Sequence, residues 1–152
     1  MRVVLALLGL MTLTLRQTAT AQDAETQAAR ADIQAERTKL VAANLELTET
    51  EGKAFWPLYT DYRAQVSKLD DRTVALLRDY SDNYDAMTDE KAKGLLQQLV
   101  TLDDDRLKLR RSYIGKFEKV LPSKKVARYF QIERKLDAAV AYEAATAIPL
   151  VK

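Results

Sequence analysis

Cysteine and histidine are both absent from this chain of 152 residues. Without thiols there is no disulfide framework, so the fold has to rest on apolar packing or on oligomerisation. Without either residue type, the usual zinc and copper ligand sets, the Ser-His-Asp and Cys-His nucleophile systems and the commonest general base are all removed. No Gly-rich phosphate loop is present either. Chemistry would be left to carboxylates, lysine and tyrosine, so the sequence is read as a non-enzyme with no cofactor and no metal site. Glycine and proline are nearly as scarce, at four and three residues. An all-β chain needs many more turns than that, so a few long helices are expected.

The first 21 residues read as an export segment. Met1-Arg2 gives a positive start, Val3–Leu15 is an apolar run broken only by Gly9, Thr12 and Thr14, and Ala19-Thr20-Ala21 is a small-x-small cleavage signal. The run is shorter than the roughly 20 residues that span a bilayer. Residues 1–21 are therefore read as a cleavable signal peptide and residues 22–152 as a single all-helical domain, exported to the periplasm. That leaves 152 − 21 = 131 residues, the size of one domain.

Charge is strongly segregated in those 131 residues. Gln22–Asp105 carries ten bases and eighteen acids, a net of 10 − 18 = −8, and Arg106–Ile132 carries nine bases and one acid, a net of 9 − 1 = +8. Separation on this scale bears on association rather than on fold.

Four helices are expected. The first, from about Ala28 to Asn44, is rich in good helix formers. The second opens on Leu47-Thr48-Glu49-Thr50-Glu51, where Thr48 caps and Glu51 returns a bond to the Thr48 backbone, a capping box. Phe55, Tyr59, Tyr62, Val66, Leu69, Thr73, Leu76 and Tyr80 follow at spacings of 4-3-4-3-4-3-4, a coiled-coil-like seam of core or dimer contacts. Pro57 cannot donate to the Lys53 carbonyl, so a short leading turn and a bend near Trp56-Pro57 are expected. Thr88 caps the third helix, whose seam is Leu95, Leu99, Leu102, Leu109, Tyr113, Phe117 and Val120, with Arg106 in a seam place. The fourth starts at Ser123, read as a cap, and carries Val126, Phe130, Leu136 and Val140 to Ile148.

Two helices of about 30 residues are about 45 Å long, and a compact domain of this size has a radius of gyration near about 14 Å. The expected fold class is therefore all-α, an elongated antiparallel helical hairpin or bundle of about four helices, the long helices bent, completed by dimerisation.

With Leu47-Thr48-Glu49-Thr50-Glu51 and the stretch Gly115–Lys125, followed by Arg128-Tyr129-Phe130 and Glu133–Leu136, the chain resembles the Spy/CpxP group of periplasmic proteins, named for a Leu-Thr-x-x-Gln motif. Glu51 stands at the Gln place of the first copy; in the second, Pro122 replaces Thr and Lys125 stands at the Gln place. The resemblance spans roughly Leu45–Asp137 and implies a cradle-shaped helical dimer, acting as an ATP-independent chaperone or a stress-response adaptor in the envelope. Some members bind zinc through His or Cys, which this chain lacks.

Several groups are candidates for contact with unfolded or partner polypeptide. Trp56 lies off the seam beside Phe55, Tyr59 and Tyr62, which read as core. The basic stretch Arg106, Lys108, Arg110, Arg111, Lys116, Lys119, Lys124, Lys125 and Arg128 is either a client- or partner-binding band or a solvated face. Peripheral contact with an anionic membrane surface is a further expectation for it, and nucleic acid is excluded by export. Asp103-Asp104-Asp105 cannot converge on a cation from one helix, and Asp104 with Lys108 has i,i+4 spacing. The leading reading is polypeptide holding on a basic, partly apolar helical cradle, by a homodimer. The alternative is a non-chaperone interaction or structural dimer that modulates a membrane sensor's periplasmic domain.

Overall fold

The structure, a computed structural model, describes residue 28 and residues 30–151. The expected signal peptide and its cleavage site lie outside the described residues. The fold is all-α: every regular element among the described residues is helical. The chain divides into two compact units, residues 1–44 and 45–152. In the first, the described part is helix α1, residues 30–45, which ends at the boundary. Its own side chains brace it locally, with Lys39 paired to Glu36 at 2.6 Å and the Asn44 amide donating to the Leu40 carbonyl at 2.7 Å.

The second unit holds α2 (Glu49–Asn83), a 3-10 turn (Tyr84–Ala86), α3 (Asp89–Phe117) and α4 (Ser123–Ala147). The capping box at the start of α2 forms as the sequence dictates. The Thr48 hydroxyl accepts from the Glu51 N–H at 3.3 Å, and the Glu51 carboxylate accepts from the Thr48 N–H at 2.7 Å. Pro57 does not split off a leading turn: α2 is one helix from Glu49 onward. Both Pro57 and Lys53 are on the exposed side, so water can satisfy the carbonyl that Pro57 leaves without a donor.

Thr88 caps α3 by accepting from the Lys91 N–H at 3.2 Å. That helix stops at Phe117, and Glu118–Val120 form a turn rather than continuing to Pro122. Ser123 is the first helical residue of α4 rather than its cap: Pro122 takes the cap place, and no side chain bonds to that end.

Antiparallel α2 and α3 form a hairpin across the 3-10 turn. The third helix of the unit, α4, runs beside α2 in the same direction. Tyr129 meets Phe55 near the start of both helices, and the Tyr80 and Tyr84 hydroxyls donate to the Pro149 and Leu150 carbonyls near their ends. The seam read from sequence is the packing face of α2, but its burial is uneven. Phe55, Tyr59, Tyr62 and Leu69 are buried, while Val66, Thr73, Leu76 and Tyr80 are half-buried. Much of the seam read as core or dimer contacts is thus covered by α3 and α4 of the same chain.

Candidate functional site

Cross-helix ion pairs, one of them joining the acidic stretch to the basic one, fix the register of the hairpin. Arg106, in its seam place on α3, donates to Asp70 at 2.9 Å and to Thr73 at 2.8 Å on α2. Beside it, Arg72 donates to Asp105 at 2.7 Å, and near the turn Lys91 donates to both Asp79 oxygens at 2.6 and 2.8 Å. The Asp103–Asp105 triplet is therefore divided. Asp105 reaches across to α2, and Lys108 lies nearest to Asp105, at 3.9 Å, rather than to Asp104.

The basic band is likewise divided. Lys125 donates to the Glu51 carboxylate at 2.6 Å and to the Glu46 carbonyl at 2.8 Å, while Arg128 lies 3.4 Å from the Glu46 carboxylate. Glu46 has φ of 51°, a left-handed conformation uncommon outside glycine, and these two bases hold the strained turn in place. The Lys125 ammonium, and the Thr48 N–H that donates to the same carboxylate, hold the Glu51 carboxyl below its ordinary value. Glu51 at the start of α2 and Lys125 in the first turn of α4 thus bond to each other. Lys116 sits 4.0 Å from the centre of the Tyr113 ring, and Arg110 is half-buried. Arg111, Lys119 and Lys124 are exposed and make no ion pair with the described residues. Only part of the band is therefore a free cationic surface.

Where the start of α2, the end of α3 and the start of α4 converge, eight aromatic residues cluster. Phe55, Tyr59, Phe117 and Tyr129 are its buried centre, and Tyr62, Tyr113 and Phe130 extend it, with centroids 4.9–6.3 Å apart. Trp56, half-buried, packs edge-on to Phe55 and Tyr59 at 5.0 and 5.4 Å, so it borders the core rather than standing free. Each such pair contributes about 0.5–1.5 kcal/mol beyond area burial.

Polar groups inside this end were missed by periodicity. Glu133 accepts from Arg63 at 3.2 Å, with side chains 4% and 12% exposed. The Tyr129 hydroxyl is buried with no hydrogen-bond partner among the described residues. The 3-4 spacing of Val126, Tyr129 and Glu133 was the available signal, but a glutamate on such a stripe reads as surface. Burial, with the Glu133 charge beside it, pushes the Tyr129 hydroxyl up. Burial and the 2.5 Å hydrogen bond to Asp61 push Tyr113 up to about 12, and the same bond holds Asp61 below its ordinary value.

Toward the hairpin turn the same stripes stay open. Leu99 lies between buried Leu95 and Leu102 on one stripe yet is 45% exposed. Val140, seven residues after buried Glu133 on the packing stripe of α4, is 59% exposed. Leu96, Val100, Asp103 and Leu107 form a second stripe at 4-3-4 spacing, with Leu96 62% exposed. On the other side of α2 and α3, an open groove of about 660 Å³ is lined by Arg72, Leu76, Asp79, Gly94, Gln98 and Leu102 among others. Among the described residues, no three His, Cys, Asp or Glu side chains are placed to hold a metal, and no helix is long and apolar enough to cross a membrane. Compared with known proteins, the chain matches no family model, no curated protein and no solved structure.

Proposed function

We propose that this chain is an exported, periplasmic polypeptide-holding protein of Spy/CpxP type, working without ATP and without chemistry. One observation carries the reading. The helices close over an aromatic core at one end, yet their apolar stripes continue toward the hairpin turn and remain exposed, at Leu96, Leu99, Val100, Leu107 and Val140. Exposed apolar stripes edged by charge suit loose retention of unfolded chain, with charge speeding capture. Arg111, Lys119 and Lys124, the exposed members of the basic band with no ion pair among the described residues, are the ones available to meet an anionic membrane surface.

The test is aggregation of two unrelated proteins diluted from denaturant, followed by light scattering with the processed protein and no nucleotide. Suppression at near-stoichiometric ratios is expected. If neither client is protected, the holding reading fails, and binding to one defined sensor domain would then support the adaptor alternative.

A further inference from the structure

We propose that the client surface is the open face at the hairpin end, and that it selects cationic amphipathic segments rather than the anionic ones a basic band would attract. This rests on the holding reading above and assigns its site and client chemistry.

Helical phase locates the face. Phe117 of α3 packs on Tyr129 and Phe130 of α4, at 4.9 and 5.9 Å, so it marks the side of the hairpin that α4 covers. Counting back from Phe117 by 7, 7 and 4 residues reaches Arg110, Asp103 and Leu99, which share that side. Val140 continues the stripe by which α4 packs, seven residues beyond Glu133. Above the closed core, α3 and α4 therefore turn apolar side chains to the same side of the hairpin without covering them. Leu96, Val100 and Leu107 widen that apolar surface on α3.

Charge then chooses the occupant. From Asp70 to Asp105 the chain carries four bases and ten acids, a net of 4 − 10 = −6. The three cross-helix pairs absorb Asp70, Asp79 and Asp105. Asp82, Asp89, Glu90, Asp103 and Asp104 stay exposed and have no basic partner among the described residues. Asp103 stands on the second apolar stripe itself, three residues after Val100 and four before Leu107. A helical or nascent-helical segment with apolar residues spaced 3–4 apart and lysine or arginine between them matches both features. An anionic segment would have its own charges set against Asp103, and a second copy of this end would bring acid to acid.

The experiment uses the processed protein with a fluorescently labelled leucine–lysine amphipathic peptide, its leucine–glutamate counterpart and anisotropy as the readout. Tighter binding of the lysine peptide is expected. Leu96→Ser with Val100→Ser should weaken that binding by about tenfold or more, with helicity by circular dichroism unchanged because both side chains are mostly exposed. Asp103→Lys with Asp104→Lys should reverse the preference between the peptides. Arg111→Glu with Lys119→Glu and Lys124→Glu should leave lysine-peptide binding as it was. Equal binding of the two peptides, or a glutamate-peptide preference lost in the Arg111, Lys119 and Lys124 variant, overturns the site while leaving the holding reading intact. If the Leu96 and Val100 variant instead abolishes self-association and still binds peptide like the parent, the face belongs to a second copy and the proposal fails. Absence of binding to either peptide together with absence of aggregation suppression removes the holding reading itself.

Discussion

Glu133 concentrates the energetic tension of the closed end in one side chain. A carboxylate brought among aromatic rings loses its hydration, and Arg63 at 3.2 Å offsets that loss only while both partners are present. Truncating Glu133→Ala takes the carboxylate away from a nearly buried guanidinium, and we expect a loss of about 3–5 kcal/mol by denaturant titration. The double change Arg63→Met with Glu133→Leu should recover most of it, since a packed apolar pair of similar volume costs little there. A double variant no more stable than the single would mean that the cost lies in packing and not in the charge. Such a glutamate is hard to foresee: its stripe is apolar, but burial of a charge depends on a partner 70 residues away, which no local pattern reveals.

Among the elements, α2 was the most legible, because its start and its face are written in local chemistry. Thr48 and Glu51 form the box that their spacing requires, and Phe55, Tyr59, Tyr62 and Leu69 bury as the heptad count requires. What the sequence left open was pairing between elements: which acid meets Arg106, that Lys125 crosses to Glu51, and that Tyr129 of α4 packs on the α2 seam. On α4 itself, Tyr129 rather than Phe130 is fully buried, a difference of one residue that the apolar spacing of α4 does not decide. The link between α2 and α4 can be tested by pH. The Glu51 carboxyl is held below its ordinary 4.5 chiefly by Lys125. A depressed carboxyl contributes stability that is present above its unfolded value and lost as pH falls through the folded one. Thermal midpoints of the parent should therefore drop below about pH 4.5, and Lys125→Met should flatten that acid limb while lowering the midpoint near neutrality. Parallel curves for the two proteins would show that the contact contributes nothing to the fold.

At the scale of the whole molecule, neutrality conceals two opposed regions. Residues 22–152 carry equal numbers of acids and bases, 22 − 22 = 0, while Asp70–Asp105 is net acidic and Arg106–Ile132 net basic. Molecules with this distribution attract one another in an opposed orientation, and we expect a dimer at micromolar concentration in low salt. Because the screening length falls from about 10 Å at 0.1 M to about 3 Å at 1 M, sedimentation velocity should show the dimer weakening across that range. A monomer at every salt concentration would remove electrostatic self-association from the account.

The ties between α2, α3 and α4 also lie in a graded order along the chain. Lys91 reaches Asp79 over 12 residues, Arg106 reaches Thr73 and Asp70 over 33 and 36, Tyr113 reaches Asp61 over 52, and Lys125 reaches Glu51 over 74. Closing a short loop loses less chain entropy than closing a long one, so this gradient sets a sequence of events in time. On that ground we expect the hairpin to nucleate at its turn and zip toward the aromatic end, with α4 docking last, which stopped-flow folding of Tyr129→Ala checks. The best-packed part of the molecule is then the latest to form, and substitutions in it, at Tyr129 for example, act mainly by hastening unfolding and leave the folding rate nearly as it was.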